Sequence, residues 1–133
     1  MSQENVEFVR RAAEAYERGD LSAVLETFSP DLVTYIAPPI PVAGTYHGPE
    51  GFLQVTLDWA EGFDELIATT EEHIDAGGDR VITRVRHRAS GAESGVPVET
   101  DFWYVWTIRE GKSVRVDIFT DRREALEAAG LRE

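Results

Sequence analysis

Hydrophobic and polar side chains alternate with a period of two in a pair of runs, Val98 to Arg109 and Ser113 to Thr120, with Glu110-Gly111-Lys112 between them. Successive side chains of a strand point to opposite faces, so the runs predict a long antiparallel hairpin closed by a short glycine-containing turn. One face carries Val98, Thr100, Phe102, Tyr104, Trp106 and Ile108 from the first strand, and Val114, Val116, Ile118 and Thr120 from the second. The other carries Glu99, Asp101, Trp103, Val105, Thr107 and Arg109, then Arg115, Asp117 and Phe119. Large apolar residues with a few hydroxyls suit an interior. The first set is therefore the inner face, and the second faces solvent or a partner subunit.

Upstream the period changes. Val6, Val9, Ala13 and Tyr16 fall on one helical stripe, predicting a helix from Ser2 to about Arg18 that Gly19 ends. Asp20 caps a shorter helix with Leu21, Val24, Leu25 and Phe28 apolar, which Ser29-Pro30 stops. Asp31 to Ile36 reads as a short strand, and Pro38-Pro39-Ile40-Pro41 as a loop ending at Thr45-Tyr46-His47. Pro49 opens a third helix whose broad apolar side holds Phe52, Leu53, Thr56, Trp59, Ala60 and Phe63.

Leu66 to Asp75 reads as a strand of poor alternation, which leaves His73 without an assigned face. Gly77-Gly78 turns it into Arg80 to Ser90, where Val81, Thr83, Val85 and His87 share the inner face and Ile82, Arg84, Arg86 and Arg88 the outer. Glu99, Asp101 and Asp117 are the expected cross-strand partners of that arginine row. Gly91 to Gly95 is a small polar loop. Asp121 and Glu124 form a D-x-x-E capping box, and the last helix stops at Gly130 with Leu131 placed against Leu126. With no repeat or linker, residues 1–133 read as one domain of α+β class.

Composition narrows the function. Thirteen basic residues against twenty-five acidic ones give a formal charge of -12, which repels nucleic acid and anionic membranes and favours a neutral or cationic ligand. The absence of cysteine removes disulfides and thiolate chemistry and fits a reducing compartment, so a cytoplasmic location is expected. Neither a signal peptide nor a membrane span is expected. Histidines at 47, 73 and 87 lack metal-ligand spacing, and there is no phosphate loop or dinucleotide fingerprint, so neither metal nor cofactor is expected.

Five motifs, in this order and spacing, carry a resemblance. They are residues 15–20 (AYERGD), 46–51 (YHGPEG), 94–98 (SGVPV), 109–112 (REGK) and 121–131 (DRREALEAAGL). Together they resemble the SnoaL-like family of the nuclear-transport-factor-2-like superfamily. The resemblance implies a curved antiparallel sheet wrapped against three N-terminal helices, a cone with an internal apolar pocket, and a short C-terminal helix. It also implies dimers through the outer sheet face, here Ile82, Trp103, Val105 and Phe119. Chemistry does not follow from the fold. The superfamily's ketosteroid isomerases use a helix tyrosine, a basic aspartate and a second aspartate at positions matching Ala12, Ile36 and Tyr104. Limonene-type epoxide hydrolases set an arginine between two aspartates, at positions matching Val85, His87 and Ile118. Neither set is present.

His87 and Tyr104 remain as candidate catalytic residues. An imidazole titrates near neutrality and can take and return a proton, while a phenol can donate to a developing oxyanion. Tyr16, Ile36, Trp59, Thr83, Val85, Phe102, Trp106, Ile118 and Thr120 are the candidate substrate-binding lining. The bland alternative makes His87 a backbone donor and the aromatics core. Three functions stay open: a polyketide cyclase- or isomerase-type enzyme acting on a small apolar or aromatic molecule, a non-catalytic binder of such a molecule, and a dimerisation module with a filled cone.

Overall fold

The structure, a computed structural model, describes residues 2–91 and 97–131. Residues 92–95 of the predicted loop and 94–96 of the 94–98 motif lie outside the described residues. Three helices open the chain with two short strands among them: α1 Ser2–Glu17, α2 Leu21–Glu26, β1 Phe28–Ile36, β2 Gly44–His47 and α3 Gly48–Ala60. A meander follows, β3 Phe63–Asp75, β4 Arg80–Gly91, β5 Pro97–Arg109 and β6 Lys112–Phe119, and then α4 Arg122–Ala128. All six strands join one curved, unclosed sheet in the order β2-β1-β6-β5-β4-β3. Every pair is antiparallel except β1 with β6, which is parallel.

Several elements depart from the sequence pattern for identifiable reasons. Phe28 belongs to β1, not to α2, because Thr27 already caps the helix and Phe28 pairs with Ser113. Pro30 is tolerated inside β1 because β2 covers only Val33 to Ile36 on that side. The β5–β6 turn has two residues, Glu110 and Gly111, with φ of 51° and 72°. Both are left-handed, the geometry whose twist matches a hairpin, and Lys112 is thereby freed to begin β6.

Two bulges reset strand parity. Thr107 pairs with Arg115 and Ile108 with Ser113, so Val114 has no partner, and Ser113 takes the inner position expected of it. In β3, Thr70 pairs with Val85 and Glu72 with Arg84, which makes Glu71 the extra residue. His73 then pairs with Thr83 and faces inward under α1. There desolvation and Arg10 lower its pKa against the pull of Glu17, Glu14 and Glu7.

The helices divide between the two faces. Phe52 and Val55 of α3 and Ala15 and Val24 of the first two helices join Leu32, Phe102, Val116 and Ile118 in the inner core. On the outer face Ala125, Leu126 and Ala129 of α4 cover Ile82 and Val105, with Trp103 and Phe119 packed at the side. This corrects the expected dimer surface: Val105 is 1% exposed beneath its own chain's helix and cannot meet a second subunit while α4 is in place. Asp121 caps α4 by accepting from the Arg123 N–H. At the other end Leu131 N donates to Leu126 O at 2.8 Å and Gly130 N to Glu127 O at 3.0 Å, a Schellman closure.

The rest of the outer face is a ladder of ion pairs. Arg86 grips Asp101 opposite it with two bonds of 2.9 and 3.2 Å. Arg84 bridges Asp101 and Glu72, and Arg88 bridges Glu99 and Glu71. Asp101 is held below the usual carboxylate range, chiefly by the Arg86 hydrogen bond. Asp117 is not part of this ladder. It lies opposite Val105 and pairs with Arg115 of its own strand at 2.9 Å.

Candidate functional site

Between the inner sheet face and the first three helices the side chains leave a cavity of about 120 Å³. Alternation along β4 and β5 brings Thr83, Val85 and His87 alongside Phe102, Tyr104 and Trp106 on its floor. Tyr16 comes from α1, and Trp59 from α3, one turn beyond Val55 and two beyond Phe52 on the same stripe. Ile36 and Ile118, paired across β1 and β6, close one side. Thr120 does not belong. It lies beyond the end of β6, is exposed, and is absent from the cavity wall.

Other wall residues were not legible as such. Ile40 and Val42 sit in the proline-rich loop, yet Ile40 is 6% exposed and both face the cavity. The available signal was the spacing of apolar residues between prolines. Leu66, Ala68 and Thr70 of β3 line the opposite wall, hidden in the sequence by the Glu71 bulge. Glu17 is the acidic residue at the margin, where its carboxylate accepts from the Thr70 N–H at 3.1 Å and ties α1 to the edge strand.

His87 is held by two aromatic neighbours. Trp59 Nε1–H donates to His87 Nδ1 at 3.1 Å, and the imidazole meets Phe102 edge to face at 4.8 Å. An indole N–H can only donate, so Nδ1 is the acceptor and the proton of the neutral ring sits on Nε2. That Nε2 is buried and has no partner among the described residues. Burial lowers the pKa of His87 to about 4. Near neutrality the ring is therefore an uncharged N–H donor whose lone pair is already engaged.

The phenols differ. Tyr104 stacks on Trp106 at 5.8 Å, and Trp106 Nε1–H in turn donates to Thr83 Oγ1 at 3.1 Å. Protein surrounds Tyr104 on all sides, so the accessible surface it keeps is cavity wall. Burial, and then the nearby Tyr16, push its pKa up; burial does the same to Tyr16. Neither hydroxyl has a protein partner among the described residues. His47 ends β2 on the exposed surface, away from this group. Among the described residues no cluster of three or more His, Cys, Asp or Glu could hold a metal ion, and no helix is long and apolar enough to cross a membrane.

Comparison with known proteins agrees with this architecture. An uncharacterised protein of Mycobacterium tuberculosis is 30% identical over 89 residues, spanning 66% of this chain and 68% of the relative. A nuclear-transport-factor-2-like protein of Burkholderia thailandensis superposes with a TM-score of 0.79 at 24% identity, covering 95% of each chain. TerC, crystallised with polyporic acid, superposes with a TM-score of 0.75 at 21% identity over 95% of this chain and 98% of its own. Residues 9–116 match the family described as the SnoaL-like domain. The chain belongs to the SnoaL-like domain family and has its nuclear-transport-factor-2-like fold.

Proposed function

We propose that the protein binds a small, uncharged, largely apolar or aromatic molecule in the cavity beneath the sheet. One observation carries the reading: the wall is almost wholly apolar, yet the Tyr16 and Tyr104 hydroxyls on it have no partner among the described residues. A buried polar group left unpaired costs about 1–3 kcal/mol, so such groups are normally satisfied. A ligand that meets them recovers that cost and also buries its own apolar surface. The wall contains no Lys or Arg to receive an anion. TerC, similar in fold, was crystallised with polyporic acid, which supports the reading at the level of the fold.

A thermal-shift series with uncharged single-ring aromatics tests this. A ligand of the native state raises the melting temperature with concentration, by about 2.7 kcal/mol of added stability at a hundred times its Kd. Ala13→Phe, which fills the cavity from α1, removes the shift. A folded wild-type protein indifferent to every compound overturns the reading.

A second reading, cyclase- or isomerase-type catalysis with His87 as base and Tyr104 as oxyanion donor, is favoured by their place on one face of one cavity. The engagement of His87 Nδ1 by Trp59 weighs against it. Loss of turnover in both His87→Gln and Tyr104→Phe with binding retained selects catalysis; small changes in affinity alone select binding. A homodimer through the outer face is also proposed, on the strip of Tyr35, Trp103 and Phe119 that α4 leaves partly open.

A further inference from the structure

Helices and paired strands supply the cavity wall except at Thr27, the cap of α2, and at Ile40 and Val42, in the loop 37–43 between β1 and β2. Ile40 is buried in the inner core and Val42 packs against that core, while Pro38, Pro39, Pro41 and Ala43 are exposed. At one end Ala37 N–H donates to Ile118 O at 2.9 Å and fixes the loop to the sheet. Past that hinge the prolines have no N–H to give, and the backbone bonds stay within the loop: Ile40 N–H donates to Ala37 O at 3.2 Å and Ala43 N–H to Ile40 O at 2.9 Å. A side chain ties the far end, where the Tyr46 O–H donates to Val42 O at 2.6 Å. Tyr46 itself is firmly held. It pairs with Thr34 in the sheet and lies close against α3 at Gly51, where a Cβ would come within 3.2 Å of the Tyr46 Cβ. We propose that loop 37–43 is a flap over one end of the cavity, latched by the Tyr46 hydroxyl, and that the ligand enters and leaves when this latch breaks.

The inference rests on the binding function proposed above and adds the route to the site. A segment opens locally when few apolar contacts and no ladder bonds hold it, and binding-site lids are drawn from such segments. The competing margin is α1 against β3, tied by Glu17 to the Thr70 N–H at 3.1 Å. Behind that tie Val9 packs with Val81 and Ile108, and Ala15 belongs to the inner core. Moving α1 therefore strips apolar surface from two clusters, whereas the flap gives up only Ile40, Val42 and one hydrogen bond. The motif 46–51 (YHGPEG) thereby gains a role: its tyrosine is the latch and its second glycine is the seat beneath it. Because the latch closes the loop with or without a ligand inside, its strength sets the barrier in both directions and leaves affinity alone.

Fluorobenzene, an uncharged single ring whose free and bound forms give separate signals in fluorine NMR exchange spectroscopy, reads the two rates and their ratio. Tyr46→Phe should raise the association and dissociation rates together by about fivefold, the worth of one neutral hydrogen bond, with Kd held within about twofold. Pro41→Gly, which loosens the exposed loop without touching Tyr46 or the wall, should raise both rates in the same way. Glu17→Ala, which cuts the tie at the other margin, should leave both rates unchanged. Retained affinity in each variant reports an intact cavity, and a residue that merely shaped the wall would change Kd instead. Rates unmoved by Tyr46→Phe and Pro41→Gly, or raised by Glu17→Ala alone, overturn the flap and leave the cavity's binding function standing. Failure of fluorobenzene to bind the folded wild type overturns both.

Discussion

The residue that most changes meaning between sequence and structure is His87. Its composition-level reading is a base poised near neutrality, since the free imidazole titrates at about 6.5. Burial to 8% exposure and the Trp59 hydrogen bond make it a neutral donor with a folded pKa of about 4. The unfolded chain therefore takes up a proton as pH falls through about 6.5, while the folded chain resists until about 4. Stability from this group is full above the unfolded value and is lost across that window, about 3 kcal/mol in all. Urea unfolding at pH 7 and at pH 4.5 should show the wild type losing about 2 kcal/mol more than His87→Gln; equal losses would mean the ring is not desolvated as placed. Trp59→Phe frees Nδ1 and opens the packing, so an NMR titration of the imidazole should find the His87 pKa raised toward 6.5. Alternation in β4 and β5 was enough to put His87 and Tyr104 on the inner face. The tautomer was not legible, because it depends on a helix residue 28 positions away in the chain.

At the scale of elements, legibility followed hydrogen-bond regularity. The stretches with unbroken period two, β4 and most of β5, sit with the parity their sequence demands, and the arginine row pairs outward. Where one residue is inserted, parity flips without any compositional trace. Glu71 hid the face of His73, and the bulge before Arg115 put Ser113 on the wall and took Val114 off it. A four-residue edge strand such as β2 leaves even less signal. The largest departure is α4, whose capping box and glycine stop were plain in the sequence but whose docking face was not. Since Leu126 is 6% exposed against Ile82 and Val105, Leu126→Ala should cost about 2–4 kcal/mol in urea unfolding. It should also raise binding of a hydrophobic dye at the uncovered outer face. A loss under about 1 kcal/mol would mean that α4 is only loosely attached.

For the whole molecule, the formal charge of -12 sets the terms on which two copies can meet. Copies of like charge repel, and the repulsion is screened within a Debye length of about 8 Å at physiological ionic strength. The outer face is where that repulsion is weakest. Arg84, Arg86 and Arg88 answer Glu71, Glu72, Glu99 and Asp101 there, leaving the ladder close to neutral beside the partly open strip of Tyr35, Trp103 and Phe119. If this face pairs two chains, association should strengthen with salt, because screening removes the net repulsion while the ladder is already satisfied within each chain. Sedimentation should then find the 14.9 kDa chain moving toward twice that mass as NaCl rises from about 20 to 300 mM. Tyr35→Glu, which adds a charge to the strip without touching α4 or the cavity, should hold it at the monomer mass with the melting temperature and probe binding unchanged. A wild-type chain that stays monomeric at high concentration across that salt range removes the dimer. The cavity then remains the protein's principal interaction surface, complete within one chain.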